Sequence, residues 1–168
     1  TCHRTTCDCP ADDLDTPTNN SSATASDLGE TPDAPNTEMT IEQLSIHEEG
    51  DVDWFAFYAS DGVDFGNPIV TVELEVGYDA FGDDSEYELT VWLDCEFGSS
   101  NDSVCVQGRP SSDATHGTGC LDDGTWLTVM LESNCGGTLD ESSFGLIRVR
   151  KTRRNGRCDD YQLNLSVR

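Results

Sequence analysis

A period of two runs through most of this chain, and it restricts the fold more than any other feature. Val70, Val72, Leu74 and Val76 alternate with Thr71, Glu73 and Glu75, while Tyr87, Leu89, Val91 and Leu93 alternate with Glu88, Thr90, Trp92 and Asp94. Successive side chains of a strand point to opposite faces, so these runs read as strands with one apolar and one wet face. The pattern recurs at Leu127, Val129 and Leu131, at Ile147 and Val149, and at Tyr161, Leu163, Leu165 and Val167, with shorter runs near 39–46, 54–58 and 104–106. Clusters of Gly, Asn, Asp and Ser bound each run, which predicts about eight short strands and no helical spacers. Antiparallel strands without crossovers imply an all-β fold, a sandwich or a barrel.

The chain divides at about residue 36. Residues 1–36 hold Cys2, Cys7 and Cys9 and then a polar stretch whose only large aliphatic residues are Leu14 and Leu28, so this tail cannot build a core. From Asn20 through Gly29, an N-cap, two alanines and a terminal Gly predict one short helix, and no other helix of consequence is expected. Residues 37–168 form the expected single β-domain. Leu, Ile, Val and Phe make up only 34 of 168 residues, so the core is lean, and the eight cysteines are expected to supplement it as disulfides in an oxidising compartment. A secreted or cell-surface protein follows, with Thr1 expected to succeed a removed signal peptide. No apolar run approaches the roughly 18 residues of a membrane helix.

Charge excludes one function class and singles out one segment. The net charge is −24, and residues 1–147 carry two basic residues, Arg4 and Arg109, against 31 acids. A polyanion would be repelled, so nucleic acid is not an expected partner. Arg148, Arg150, Lys151, Arg153, Arg154 and Arg157 crowd into one basic segment instead. Arg148 and Arg150 fall on the face opposite Ile147 and Val149, and Asn155-Gly156 suits a hairpin turn. These cations either relieve the chain's self-repulsion or meet an acidic partner, of which another copy of this protein is the nearest example. Trp92, pointing away from Leu89, Val91 and Leu93, is read as a further partner contact. A basic segment meeting an acidic body is a heterologous contact that extends into a filament unless it closes on itself.

Three blocks carry a family resemblance. Asn19-Asn20-Ser21-Ser22-Ala23-Thr24-Ala25-Ser26-Asp27-Leu28, then Gly50-Asp51-Val52-Asp53-Trp54-Phe55-Ala56-Phe57, then Asp160-Tyr161-Gln162-Leu163-Asn164-Leu165 resemble the bacterial pre-peptidase C-terminal (PPC) domain family, over roughly residues 14–168. The resemblance implies a small jelly-roll-like β-sandwich that binds or assists secretion and does no chemistry. It also implies a calcium site, with ligands from Asn19 or Asn20 and from Asp51 and Asp53, and Asp15 as the candidate acid. Read without the resemblance, Asn20 caps the short helix and Asp51 and Asp53 sit in a solvated turn.

The cysteines allow two chemistries. Cys2, His3, Cys7 and Cys9 offer thiolate and imidazole ligands for zinc, but disulfides suit an exported chain better. Three cysteines lie in the tail and five, Cys95, Cys105, Cys120, Cys135 and Cys158, in the body. Both numbers are odd, so complete pairing within one chain requires a bond from tail to body. Cys135 with Cys158 and Cys95 with Cys105 are the expected body pairs, each clamping adjacent strands. No catalytic motif is present, and His3, His47 and His116 each sit among polar neighbours. The expected function is therefore a non-catalytic, secreted structural or self-assembling subunit. The alternative is a calcium-dependent binding module for a surface polymer, protein or polysaccharide, and an enzyme-accessory domain is the weaker expectation.

Overall fold

The computed structural model describes residues 12–15, 18–35, 37–46, 51–62, 66–77, 86–96, 103–135, 141–153 and 160–168. Among these lie eleven strands: β1 (Ser26–Pro32), β2 (Glu38–Ser45), β3 (Val52–Ser60), β4 (Ile69–Val76), β5 (Glu86–Cys95), β6 (Val104–Gln107), β7 (Arg109–Asp113), β8 (Gly117–Gly124), β9 (Trp126–Glu132), β10 (Ser143–Arg153) and β11 (Asp160–Val167). They form two sheets, ordered β1-β3-β10-β5-β8-β7 and β2-β11-β4-β9-β6. Every pairing is antiparallel except β1 with β3. The expected all-β sandwich is the observed architecture.

The alternating residues supply the layer between the sheets. Phe55 and Phe57 from β3, Leu89 and Val91 from β5, and Ile147 and Val149 from β10 face Val72 and Leu74, Leu127 and Val129, and Leu163 and Leu165, all buried in one cluster. At about 25 cal/mol per Å² of apolar surface removed from water, this layer is the main force holding the sheets together. Strand β5 is covered on both faces, since every residue from Tyr87 to Leu93 is buried.

The eight alternating runs all become strands, and three strands without such a run join them. The expected short helix is reduced to one 3-10 turn, Ser22–Thr24, with no side-chain cap from Ser21. Ser26–Pro32 instead lies parallel to β3 as the edge strand β1, so the sandwich begins before residue 37. Gly29, with φ +83°, sits where the β1 register shifts between Asp27 and Glu30, a bulge that a residue with a Cβ would resist. Strands β7 and β8 pair across the Ala114–His116 turn at the other edge of the same sheet.

Both described disulfides join one sheet to the other, which corrects the expected pairs. Cys95 at the end of β5 is bonded to Cys135, just beyond β9, and Cys105 in β6 is bonded to Cys120 in β8. Cys95–Cys105 and Cys135–Cys158 are therefore not formed. Clamping neighbours within a sheet was the wrong criterion, because those neighbours already share hydrogen bonds whereas the two layers meet only through side chains. The bridged positions lie 40 and 15 residues apart, closures worth about 4 and about 3 kcal/mol in the chain-entropy account. Cys2, Cys7, Cys9 and Cys158 lie outside the described residues, as does the zinc alternative at Cys2, His3, Cys7 and Cys9.

Candidate metal centre

Strand β3 alternates like its neighbours, and that alternation places a carboxylate where an apolar side chain belongs. Asp53, Phe55, Phe57 and Ala59 share the inward face, and Asp53 is fully buried at the end of the core. A carboxylate in such a place is costly unless charge or hydrogen bonds compensate it. The Tyr161 hydroxyl donates to Asp53 Oδ2 and fixes the side chain, leaving Oδ1 for other partners.

The loop before β1 brings those partners. Asp12 accepts at Oδ1 from the backbone N–H of Leu14 (2.9 Å) and Asp15 (3.1 Å), forming a tight Asx turn, and at Oδ2 from the Ser45 N–H of β2 (2.9 Å). Ser26 Oγ donates to the Leu14 carbonyl at 2.7 Å, and the Trp54 N–H donates to the Asn19 carbonyl at 3.0 Å. Pinned in this way, Asp15 and Asn19 are buried against the start of β3. Asp15, Asp51 and Asp53 then present carboxylate oxygens that all lie within 4.8 Å of one another. The Asn19 amide points into the same group. Its atom facing the carboxylates is 3.2 Å from Asp53 Oδ1 and 3.3 Å from Asp15 Oδ1, and in the structure that atom is the oxygen. An oxygen there faces only acceptors, an arrangement that a cation between them makes favourable. Turned over, the amide would donate to both carboxylates instead.

The electrostatics of Asp53 are those of an uncompensated acid. Burial first, with the charges of Asp51, Asp12 and Asp15 added, pushes its carboxyl up to about 8 against the lowering effect of the Tyr161 hydrogen bond. Burial and the neighbouring Asp53 also hold the Tyr161 phenol well above its usual value, so it remains a donor. A divalent ion would reverse the balance at Asp53 by supplying the missing positive charge. Three carboxylates and an amide oxygen suit a hard cation such as calcium or magnesium, whereas copper and zinc select nitrogen and sulfur.

Of the five expected metal ligands, the structure brings together Asp15, Asn19, Asp51 and Asp53 and leaves out Asn20. Asn20 is exposed and accepts the Val52 N–H at 3.3 Å, so it ties the loop to β3 and does not cap the 3-10 turn. Its neighbour takes the inward position because adjacent residues of an extended segment point to opposite sides.

The expected partner-binding residues are engaged within the chain where they can be described. Trp92 is 2% exposed, its indole stacked on Trp54 with ring centroids 5.6 Å apart and covered by His116 from the β7–β8 turn at 5.2 Å. Gly119 makes room for it, since a Cβ there would overlap the indole. Trp92 is therefore a covered residue of the sheet's outer face, not a partner contact. The Arg148 guanidinium lies 5.1 Å from the Trp92 ring centroid and donates to Glu88 at 2.9 Å, while Arg150 donates to the other Glu88 oxygen at 2.5 Å. These two cations answer a buried carboxylate of their own chain. Lys151 lies over the Tyr87 ring, 5.6 Å from its centroid. Arg153 pairs through its backbone with Glu86, and its side chain, like Arg154 and Arg157, lies outside the described residues.

No family model matches the chain, and no curated protein matches it. Its likeness to the PPC family therefore rests on the quoted residues. A solved chain described as CorA, a surface-associated copper-binding protein important in copper acquisition by Methylomicrobium album BG8, is 9% identical, with TM-score 0.34, over 82% of this chain and 97% of that one. At that TM-score the likeness carries no inference about a ligand. Among the described residues, no helix is long and apolar enough to cross a membrane.

Proposed function

We propose that this chain is an exported, non-catalytic binding module of PPC type whose N-terminal loop is locked onto the sandwich by a calcium ion. The observation that carries the reading is the convergence of the Asp15, Asp51 and Asp53 carboxylates, with the Asn19 amide beside them, at the buried end of β3. Two disulfides across the sandwich support an oxidising compartment. In this role Asp53 and Asp51 hold the ion from the sandwich side, while Asp15 and Asn19 hold it from the loop. The ion supplies positive charge and ties the loop to β3. Self-assembly through the basic segment has less support, because Arg148 and Arg150 already meet Glu88.

Thermal melting in chelator and in calcium tests the reading. An ion that binds only the folded state stabilises by about 2.7 kcal/mol at one hundred times its dissociation constant, a rise of about 5 to 10 °C for a domain of this size. The rise should vanish in Asp51→Ala. Superimposable curves in chelator and millimolar calcium would refute it.

A further inference from the structure

The outer face of the five-stranded sheet carries a groove that lies apart from the buried acidic cluster. Its residues form a row across neighbouring strands. Trp126 of β9 is registered with Glu75 of β4, and Glu75 with Gln162 of β11. Beyond Gln162 the β2–β11 register shifts, and Glu42 and Gln43 of β2 meet the row there. Gln43 has φ +63°, and it alone of the described non-glycine residues has a positive φ. Such a conformation is held by its surroundings and is commonest where a side chain must be aimed. Together with Asp160, these residues line a cavity of about 310 Å³.

The chemistry of the row is one-sided. Trp126 is 65% exposed, the most exposed large apolar side chain among the described residues, and presents an open indole face. The next residue on β9, Leu127, is buried, so the alternation of the strand forces the aromatic outward. Glu42, Glu75 and Asp160 bring three carboxylates to the same cavity, and no ion pair to any of them occurs among the described residues. Gln162 donates its amide to Glu75 Oε2 at 2.9 Å, which fixes that carboxylate beside the Trp126 strand. An indole face and a carboxylate rim attract the same kind of group, a cation with an apolar body. The surrounding chain, at net charge −24, draws cations toward the groove from a distance.

We propose that this groove binds an alkylammonium cation, with its alkyl groups on Trp126 and its charge toward Glu75, Glu42 and Asp160. This names the ligand class of the binding module proposed above and rests on that reading, but it lies on the sheet's outer face, apart from the buried calcium cluster. The test is a titration followed by the Trp126 indole N–H signal in ¹H–¹⁵N spectra, assigned with Trp126→Ala, at saturating calcium and constant ionic strength. The probes are choline and its neutral isostere 3,3-dimethylbutan-1-ol. Choline should shift the signal saturably and bind roughly tenfold more tightly than the isostere. Glu75→Gln should weaken choline several-fold. Trp126→Ala, followed instead through the backbone N–H signals of Glu75 and Gln162, should abolish binding without moving the melting temperature, because the ring is exposed. Equal shifts from both probes would reduce the groove to an apolar patch. No shift from choline would remove the proposal, and a tighter response to a neutral oligosaccharide would replace it with a glycan site. A melting curve in the same calcium buffer reports on the ion separately, so failure of the groove and failure of the calcium reading are told apart.

Discussion

Two carboxylates are buried in the same sheet, and they are treated in opposite ways. Glu88 lies on the outer face of β5, 7% exposed, with Arg148 on one oxygen and Arg150 on the other. Asp53 lies on the inner face of β3, fully buried, among Asp51, Asp15 and Asn19, and its described hydrogen bond comes from the neutral Tyr161 hydroxyl. Burial costs an acid the same solvation in both places. At Glu88 the chain's own cations compensate, so that site is closed. At Asp53 neighbouring acids add to the cost, so without an added cation the carboxyl is held neutral up to about pH 8. The difference is between an acid compensated by cations of its own chain and one compensated by a proton.

The largest expected effect that exposes this contrast is on pH dependence. Burial raises the Asp53 carboxyl from 3.8 to about 8, so between those values the native state holds a proton that the unfolded chain releases. Stability from this group is fully present below about pH 4 and is lost as pH rises toward 8, at up to about 1.4 kcal/mol per pH unit. In chelator, the melting temperature should fall across that window. Calcium should flatten the fall, because the bound ion favours the charged carboxylate. An equal slope with and without calcium would place Asp53 outside the ion's reach.

Next in size is an exchange of carboxylate for amide at each site. Glu88→Gln leaves Arg148 and Arg150 side by side without a counter-charge. Breaking a buried pair costs about 3 to 5 kcal/mol, and the exposure of Arg150 lowers this to about 2 to 3, or about 5 to 10 °C of melting temperature. Asp53→Asn has the opposite sign in chelator. It removes the acid but keeps an acceptor for Tyr161, so the metal-free protein should melt a few degrees higher, while most of the calcium-dependent rise disappears. A loss of stability in both variants under chelation would mean that the two carboxylates are not different in kind.

How far these sites could be read beforehand follows from how local their causes are. The eight alternating strands are legible because each carries its own period. Strands β1, β7 and β8 are not, because Ser26–Pro32, Arg109–Asp113 and Gly117–Gly124 have no such period and are strands only through the neighbour each pairs with. Asp53 carries a readable signal, an acid in phase with Phe55 and Phe57 on one strand face. Trp92 is outward-facing, as its phase requires, yet it is covered, because His116 reaches it from a turn 24 residues away in sequence. The outward phase of Trp126 against Leu127 was equally readable, but its row of acidic neighbours needs the registers of β4, β11 and β2. The disulfides failed for the same reason, since proximity across two layers leaves no trace in spacing.

The finest distinction lies between two adjacent asparagines, and it gives the smallest effect. Asn19 turns its amide to Asp53 and Asp15, whereas Asn20 accepts one backbone N–H from Val52 at an exposed position. Removing one exposed hydrogen bond costs about 0.5 to 1 kcal/mol, so Asn20→Ala should lower the melting temperature by about 2 to 3 °C, equally in chelator and in calcium. Asn19→Ala withdraws an oxygen from the cluster and should weaken calcium binding, measured by calorimetry, by roughly tenfold. The metal-free change separates the two orientations of the Asn19 amide. If its nitrogen donated to both carboxylates in the absence of an ion, the alanine variant would lose two buried charge-assisted bonds and unfold much earlier in chelator. If its oxygen faces them, removal relieves a repulsion and the metal-free protein keeps its stability. A large loss in chelator with unchanged calcium affinity would therefore make Asn19 a structural donor and remove it from the ligand set.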